Sequence, residues 1–161
     1  MGDKEYVYDT HCGLYCGACP VLMANERGDE EWLQATAKQW KRQPEDLRCL
    51  GCKTEITAVF CTGCKMRACA REKGLEFCSE CSDYPCEMVK DFRNDDAPHH
   101  SVIIKNLERI KEIGGKKWLA EQMERWTCTK CGTRFGWYTE KCEKCGAEVY
   151  NAVAEEKDLT V

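Results

Sequence analysis

Fifteen cysteines in a chain of 161 residues constrain this sequence more than any other feature. Most stand in C-x2-C pairs, at Cys16/Cys19, Cys49/Cys52, Cys61/Cys64, Cys78/Cys81, Cys128/Cys131 and Cys142/Cys145. Two thiolates separated by two residues reach one ion from a single tight turn, which a random scatter of thiols cannot do. In an oxidising compartment the same cysteines would be read as disulfides. The start of the chain, "MGDKEYVYDTHCG", has no apolar h-region, so it does not read as a secretory signal. Gly2 lacks the Ser or Thr that a myristoylation motif needs at position 6, where Tyr6 stands. The expectation is a cytoplasmic chain whose reduced cysteines bind metal.

Charge and hydropathy narrow the partners. The formal net charge is -4, which argues against a general electrostatic footprint on nucleic acid or an anionic membrane. No apolar run approaches the roughly 20 residues that span a bilayer. A protein partner is expected ahead of nucleic acid, with no membrane association.

Between the cysteine pairs the pattern is helical. Pro20 can open a helix over "VLMANER", and Gly28 can close it. Asp29 is a natural N-cap for "EEWLQATAKQW", whose Trp32, Leu33, Thr36, Ala37 and Trp40 share one face before Pro44 ends it. "KMRACAREKG" and "PCEMVKDF" read as short helices, and "RNDDAPHH" as a polar linker. "SVIIKNLERIKEI" is amphipathic and ends at Gly114-Gly115. "KKWLAEQMERW" follows, with Trp118, Leu119, Gln122, Met123 and Trp126 on a stripe. After Trp126 the composition turns to aromatics, Gly and Thr, which suits short strands. The expected architecture is a small metal-rich α+β fold of short helices and cysteine knuckles, with a small β zinc ribbon at the C-terminal end. Its expected segments are a cysteine-rich domain over 1–98, a helical segment packing on it over 99–126, the ribbon over 127–150, and a frayed tail over 151–161.

All fifteen cysteines are candidate ligands. Cys128, Cys131, Cys142 and Cys145 form C-x2-C-x10-C-x2-C, each pair followed by a glycine, at Gly132 and Gly146. Glycine lets the turn take positive φ while its amides face the sulfurs. Four thiolates suit a closed tetrahedral Zn(II), with a rubredoxin-like iron site as the alternative. Cys49, Cys52, Cys61 and Cys64 make a second set, and Cys69, Cys78, Cys81 and Cys86 a third, with ligands free to interleave between them. That leaves Cys12, Cys16 and Cys19 in "HCGLYCGACP", with His11, His99, His100 or a shared cysteine to complete the shell. The C-x3-C-x2-C spacing is also that of radical S-adenosylmethionine enzymes. Those enzymes need a barrel of alternating strands and helices, and no such alternation follows here.

Other residues have weaker functional claims. Arg67, Arg71 and Lys73 suit a phosphate site, but read more simply as a solvated helix face or as charges that offset nearby thiolates. Arg134, Phe135, Trp137 and Tyr138 suit either a miniature core beside the metal or stacking on single-stranded nucleic acid. No paired carboxylates, Ser–His–Asp set or Gly-rich phosphate loop stands out.

The stretches "CGLYCGACP", "RCLGCK", "FCTGCKMRACAREKGLEFCSECSDYPCEMVKDF" and "NLERIKEIGGKKWLAEQMERWTCTKCG" resemble the cysteine-rich family catalogued as domain of unknown function 3795. The resemblance runs from about Cys12 through Gly132. It implies that the cysteines belong together, and that some members carry a C-terminal ribbon. It brings no activity and no catalytic residues. Its anaerobic setting favours iron–sulfur chemistry.

Three functions fit these readings. The first is a binding or adaptor module built on three or four Zn(II) ions. The second is an iron–sulfur redox or metal-handling protein, with a [4Fe-4S] cluster or open site at Cys12, Cys16 and Cys19. The third is a thiol enzyme with a metal-activated cysteine. The first is the leading expectation, because most cysteines fall into closed sets of four.

Overall fold

The computed structural model describes residues 5–159; Gly2 lies outside them. Helices α1 (Pro20–Arg27) and α2 (Glu30–Gln39) form a first hairpin. Gly28 takes the left-handed conformation that ends α1, and the Asp29 carboxylate accepts the Trp32 amide to start α2. Leu33, Thr36 and Ala37 are buried, but Trp40 is 42% exposed and stacks edge-on against Phe60. The helical stripe therefore stops one turn short of the core, because α2 ends at Gln39 and Trp40 falls on its C-cap. Short helices α3 (Val59–Thr62), α4 (Lys65–Glu72) and α5 (Glu87–Arg93) carry the central cysteines. The long hairpin of α6 (Ile103–Ile113) and α7 (Gly115–Arg125) turns at Gly114, as its positive φ allows.

Two apolar cores form. One gathers Val21, Leu22, Leu33 and Leu47 around Cys16, Cys49 and Cys52. The other gathers Ile103, Leu107, Trp118, Phe135 and Trp137 around Cys12. The N-terminal knuckle lies between them. Gly13, at φ +92°, is pressed onto α6, where an added Cβ would stand 2.8 Å from the Ile103 carbonyl. The buried Asn106 side chain donates to the Gly13 carbonyl over 2.9 Å.

The C-terminal segment departs from expectation in two ways. Among the described residues no strand forms there, and pairing is reduced to two isolated antiparallel bridges, Thr127 with Arg134 and Lys141 with Glu148. Each hairpin arm is too short for a ladder, because the knuckle turns consume the backbone donors. The expected frayed tail is instead a helix, α8 (Ala152–Leu159). Its Glu155 is buried and paired with Arg125 at 2.5 Å, with Lys105 at 3.8 Å. An ion pair withdrawn from water in this way is screened far less than one on the surface, and it ties α8 to α7.

Phe135 and Trp137 face inward. The Trp137 amide donates to the Ala18 carbonyl over 2.9 Å, and its indole Nε1 to the Tyr15 carbonyl over 3.2 Å. Arg134 reaches the Gly17 carbonyl over 2.8 Å and Glu26 over 3.0 Å. The aromatic and basic residues between the C-terminal knuckles thus pack on the N-terminal knuckle.

His99 and His100 lie at this same interface, away from the role of cysteine partner. His99 stacks on Trp137 with ring centroids 4.1 Å apart and bonds the Tyr138 hydroxyl. His100 stacks on Phe92 and bonds Asp95 over 2.7 Å. Burial, then the neighbouring His100, pushes the His99 pKa down from 6.5 to about 3. A folded-state pKa below the unfolded value means that the unfolded chain binds the extra proton first. His99 therefore contributes stability that is whole above pH 6.5 and is lost as pH falls towards 3. His99→Phe keeps the ring stack and removes the titration. Its acid transition, followed by tryptophan fluorescence, is expected at lower pH than wild type; superimposable curves would count against this role.

Candidate metal centres

The C-terminal knuckles are two copies of one turn. The Cys128 amide bonds the Thr133 carbonyl over 2.8 Å, and the Gly132 amide bonds the Cys128 carbonyl over 2.9 Å. In the second copy Cys142 bonds Ala147 over 2.8 Å, and Gly146 bonds Cys142 over 2.9 Å. Gly132 and Gly146 have φ of 78° and 74°, as the spacing requires. The four sulfurs all lie within 4.8 Å of one another. Cys128 and Cys145 are 3.6 Å apart, and Cys131 and Cys142 3.5 Å. A tetrahedron with metal–sulfur bonds of about 2.3 Å has edges of about 3.8 Å, so this set is sized for one ion. The Thr133 hydroxyl, 3.2 Å from Cys131, and the Thr133 amide draw the Cys131 pKa down to about 6. Sequence reasoning passed over Thr133, although a threonine two residues after a ligand cysteine is the available signal.

The other eleven cysteines are all free thiols within residues 12–86, and they assemble differently. Among the described residues, no other three Cys, His, Asp or Glu ligand atoms lie as close together as the C-terminal four. Yet these thiols are neighbours. Cys16 faces the charges of Cys19, Cys52, Cys61 and Cys49. Cys61 faces Cys19, Cys49, Cys52 and Cys64. Cys12 faces Cys52 and Cys64. Cys69, Cys78, Cys81 and Cys86 line a common cavity of about 230 Å³. Residues far apart in sequence are brought together, and Cys12, Cys16 and Cys19 are absorbed among the central cysteines.

Burial is deep. It pushes the Cys12 pKa up to about 12 and that of Cys19 up to about 11. Such thiols are neutral at pH 7 unless positive charge is placed among them, which is what a bound metal supplies. Cys81 lies at the surface, where the Asp83 amide and Lys73 draw its pKa down; Lys73 Nζ donates to its sulfur over 3.2 Å. Arg67 donates to the Cys52 carbonyl over 2.7 Å and the Thr54 carbonyl over 2.9 Å, clamping the loop that follows Cys49 and Cys52. Arg71 pairs with Glu55. Arg67 and Arg71 are therefore engaged by the loop after Cys52 rather than gathered into a phosphate site. His11 Nδ1 donates to the Glu76 carbonyl over 2.9 Å.

The folded arrangement is that of a cysteine-rich protein built from short helices, with one cysteine cluster that could hold a metal ion. The chain belongs to the family described as protein of unknown function DUF3795, whose model matches residues 8–91. The match takes in all eleven N-terminal cysteines and stops before α6 and the C-terminal knuckles. No curated protein matches the chain, and no solved structure does. No helix of the described residues is long and apolar enough to cross a membrane.

Proposed function

We propose that the protein is an iron–sulfur electron carrier, clipped by one structural zinc at Cys128, Cys131, Cys142 and Cys145. The observation that supports this is the contrast in sulfur spacing. The C-terminal sulfurs stand at single-ion distances. The N-terminal thiols neighbour one another, with Cys12, Cys16, Cys49 and Cys52 buried and the others half-buried, and no three of them stand that close together. An iron–sulfur cluster places its own irons and sulfides between its thiolates, so it needs that wider spacing. Burial lowers the local dielectric and sets the potential of such a centre.

This reading replaces the zinc adaptor as the better fit. An adaptor built on the C-terminal knuckles would present Phe135 and Trp137 to its partner, and both are buried against the N-terminal knuckle. An electron carrier needs a surface where a partner approaches the metal. Phe60, next to Cys61, is 44% exposed beside Trp40 and offers one.

Metal and sulfide analysis of protein purified without oxygen tests this reading. The expected result is a brown protein with iron, acid-labile sulfide and one zinc per chain. Colourless protein with zinc alone would sink it.

A further inference from the structure

Four of the central cysteines surround a space rather than a point. Cys69 lies on α4, and Cys86 is the N-cap of α5. Between these helices a short 3-10 turn, Cys78–Glu80, starts on Cys78 and ends at its C-cap, Cys81. The Cys78 amide donates to the His11 carbonyl over 2.7 Å and fastens the turn to the N-terminal knuckle. All four cysteines line one cavity of about 230 Å³, with Met66, Leu75 and Val89 as its apolar wall. Cys78 and Cys86 pack against the core that contains Met66, Val89 and Ile103. Cys81 is reached from the surface by Lys73, whose Nζ donates to its sulfur over 3.2 Å.

The dimensions are wrong for one ion. No three of the four sulfurs lie within 4.8 Å of one another. A single tetrahedral ion needs sulfurs about 3.8 Å apart, with bonds of about 2.3 Å. A water molecule takes up about 30 Å³ of liquid, so the cavity has room for a group of several atoms.

We propose that Cys69, Cys78, Cys81 and Cys86 hold one [4Fe-4S] cluster in this cavity, and that Lys73 sets its reduction potential through the hydrogen bond to the Cys81 sulfur. The proposal rests on the reading of the protein as an iron–sulfur carrier and names a site within it. The irons and sulfides of a cluster lie between its thiolates and hold them apart. Met66 and Val89, both buried, shield the sulfides from water on the inner side. On reduction the cluster gains one electron from a one-electron protein donor, and no bond forms or breaks. The added negative charge falls beside the N–H donor and positive charge of Lys73, so the reduced state is favoured and the potential rises. Asp83 lies 3.7 Å from Lys73 but is 74% exposed, so solvent screens it and it offsets only part of that charge.

Lys73→Met in the full chain, purified without oxygen, leaves all four ligands in place. Its iron and sulfide content is expected to match wild type. In a redox titration followed by electron paramagnetic resonance, one signal is expected to move to a more negative midpoint potential. Lys73→Arg should restore the wild-type value, since a guanidinium also donates and is positive. An unchanged midpoint in Lys73→Met overturns the role of Lys73. Cys69→Ala and Cys81→Ala locate the cluster. Each is expected to lose about four irons and four sulfides per chain, together with the signal that Lys73→Met moves. Retention of the C-terminal ion and of helical circular dichroism marks the folded variants. Loss of zinc in place of iron, or loss of different signals by the two variants, overturns the site. Where the cysteine variants do not fold, Lys73→Met decides: a shift confined to one signal supports the site, and no shift overturns it. Full iron and sulfide in both folded cysteine variants would overturn this site and leave the carrier reading standing. Wild-type protein without iron would overturn that reading and the site with it.

Discussion

Replacing Cys128 by serine is expected to cost the protein far more than its C-terminal knuckles. A structural four-thiolate zinc contributes on the order of 10–16 kcal/mol in apparent terms at neutral pH, more than the net stability of most domains. Three remaining ligands hold the ion poorly, and the segment between the knuckles has no strand ladder to fall back on. Its Phe135 and Trp137 share one core with Ile103, Leu107 and Trp118. Trp137 also holds the carbonyls of Tyr15 and Ala18, on either side of Cys16. The expected result is exposure of Trp137, loss of the C-terminal ion and faster loss of the N-terminal metals to a chelator. Tryptophan fluorescence and time-resolved chelation measure both. If the N-terminal metals leave at the wild-type rate, the segment after residue 127 folds as an independent unit and this coupling is refuted.

The second large effect is expected at Gly51→Ala, a change of one methyl group inside the Cys49–Cys52 turn. Gly51 has φ +128°, where side chains are rarely found. An added Cβ would stand 2.2 Å from the Val7 carbonyl oxygen, which is backbone and cannot swing aside. The adjacent Val7 amide donates to the Leu50 carbonyl over 2.8 Å, so the two segments are fastened where the clash arises. Strain of this kind destabilises by roughly 3 kcal/mol. The loss falls on the turn that aims Cys49 and Cys52, so metal content should drop with stability. Gly28→Ala is the control: Gly28 also has a positive φ, at +63°, but an added Cβ meets nothing within 4 Å. Thermal unfolding and metal content of the two variants should separate strain with a clash from strain alone. Equal losses in both would remove the Val7 contact from the account.

Several features were legible in the sequence because their causes are local. A C-x2-C pair with a following glycine specifies its own turn, and the C-terminal sulfurs gather as that spacing requires. Asp29, Gly28 and Gly114 mark helix ends through hydrogen bonds and φ values settled within a few residues. The sets of four drawn among the central cysteines came from the same local logic, and there it reaches its limit. Two residues of spacing fix which sulfurs can share an ion, not which sulfurs do. Trp40 shows the same limit, since its place in the helical stripe could not reveal that α2 ends beneath it. Residues 152–159 lack a strong apolar stripe, and their helix is held by the burial of Ala152 and the pairing of Glu155 with Arg125.

The sequence by itself therefore determined which four C-terminal cysteines gather at single-ion distances, where the knuckles turn and where most of the helices begin and end. Those properties follow from covalent spacing and short-range hydrogen bonds. Only the tertiary structure decided that Cys12, Cys16 and Cys19 lie among the central cysteines, that Phe135 and Trp137 face inward, and that the chain end returns as α8. Such long-range pairings depend on which apolar faces exclude water together, and burial of that kind is a property of the assembled cores rather than of any segment.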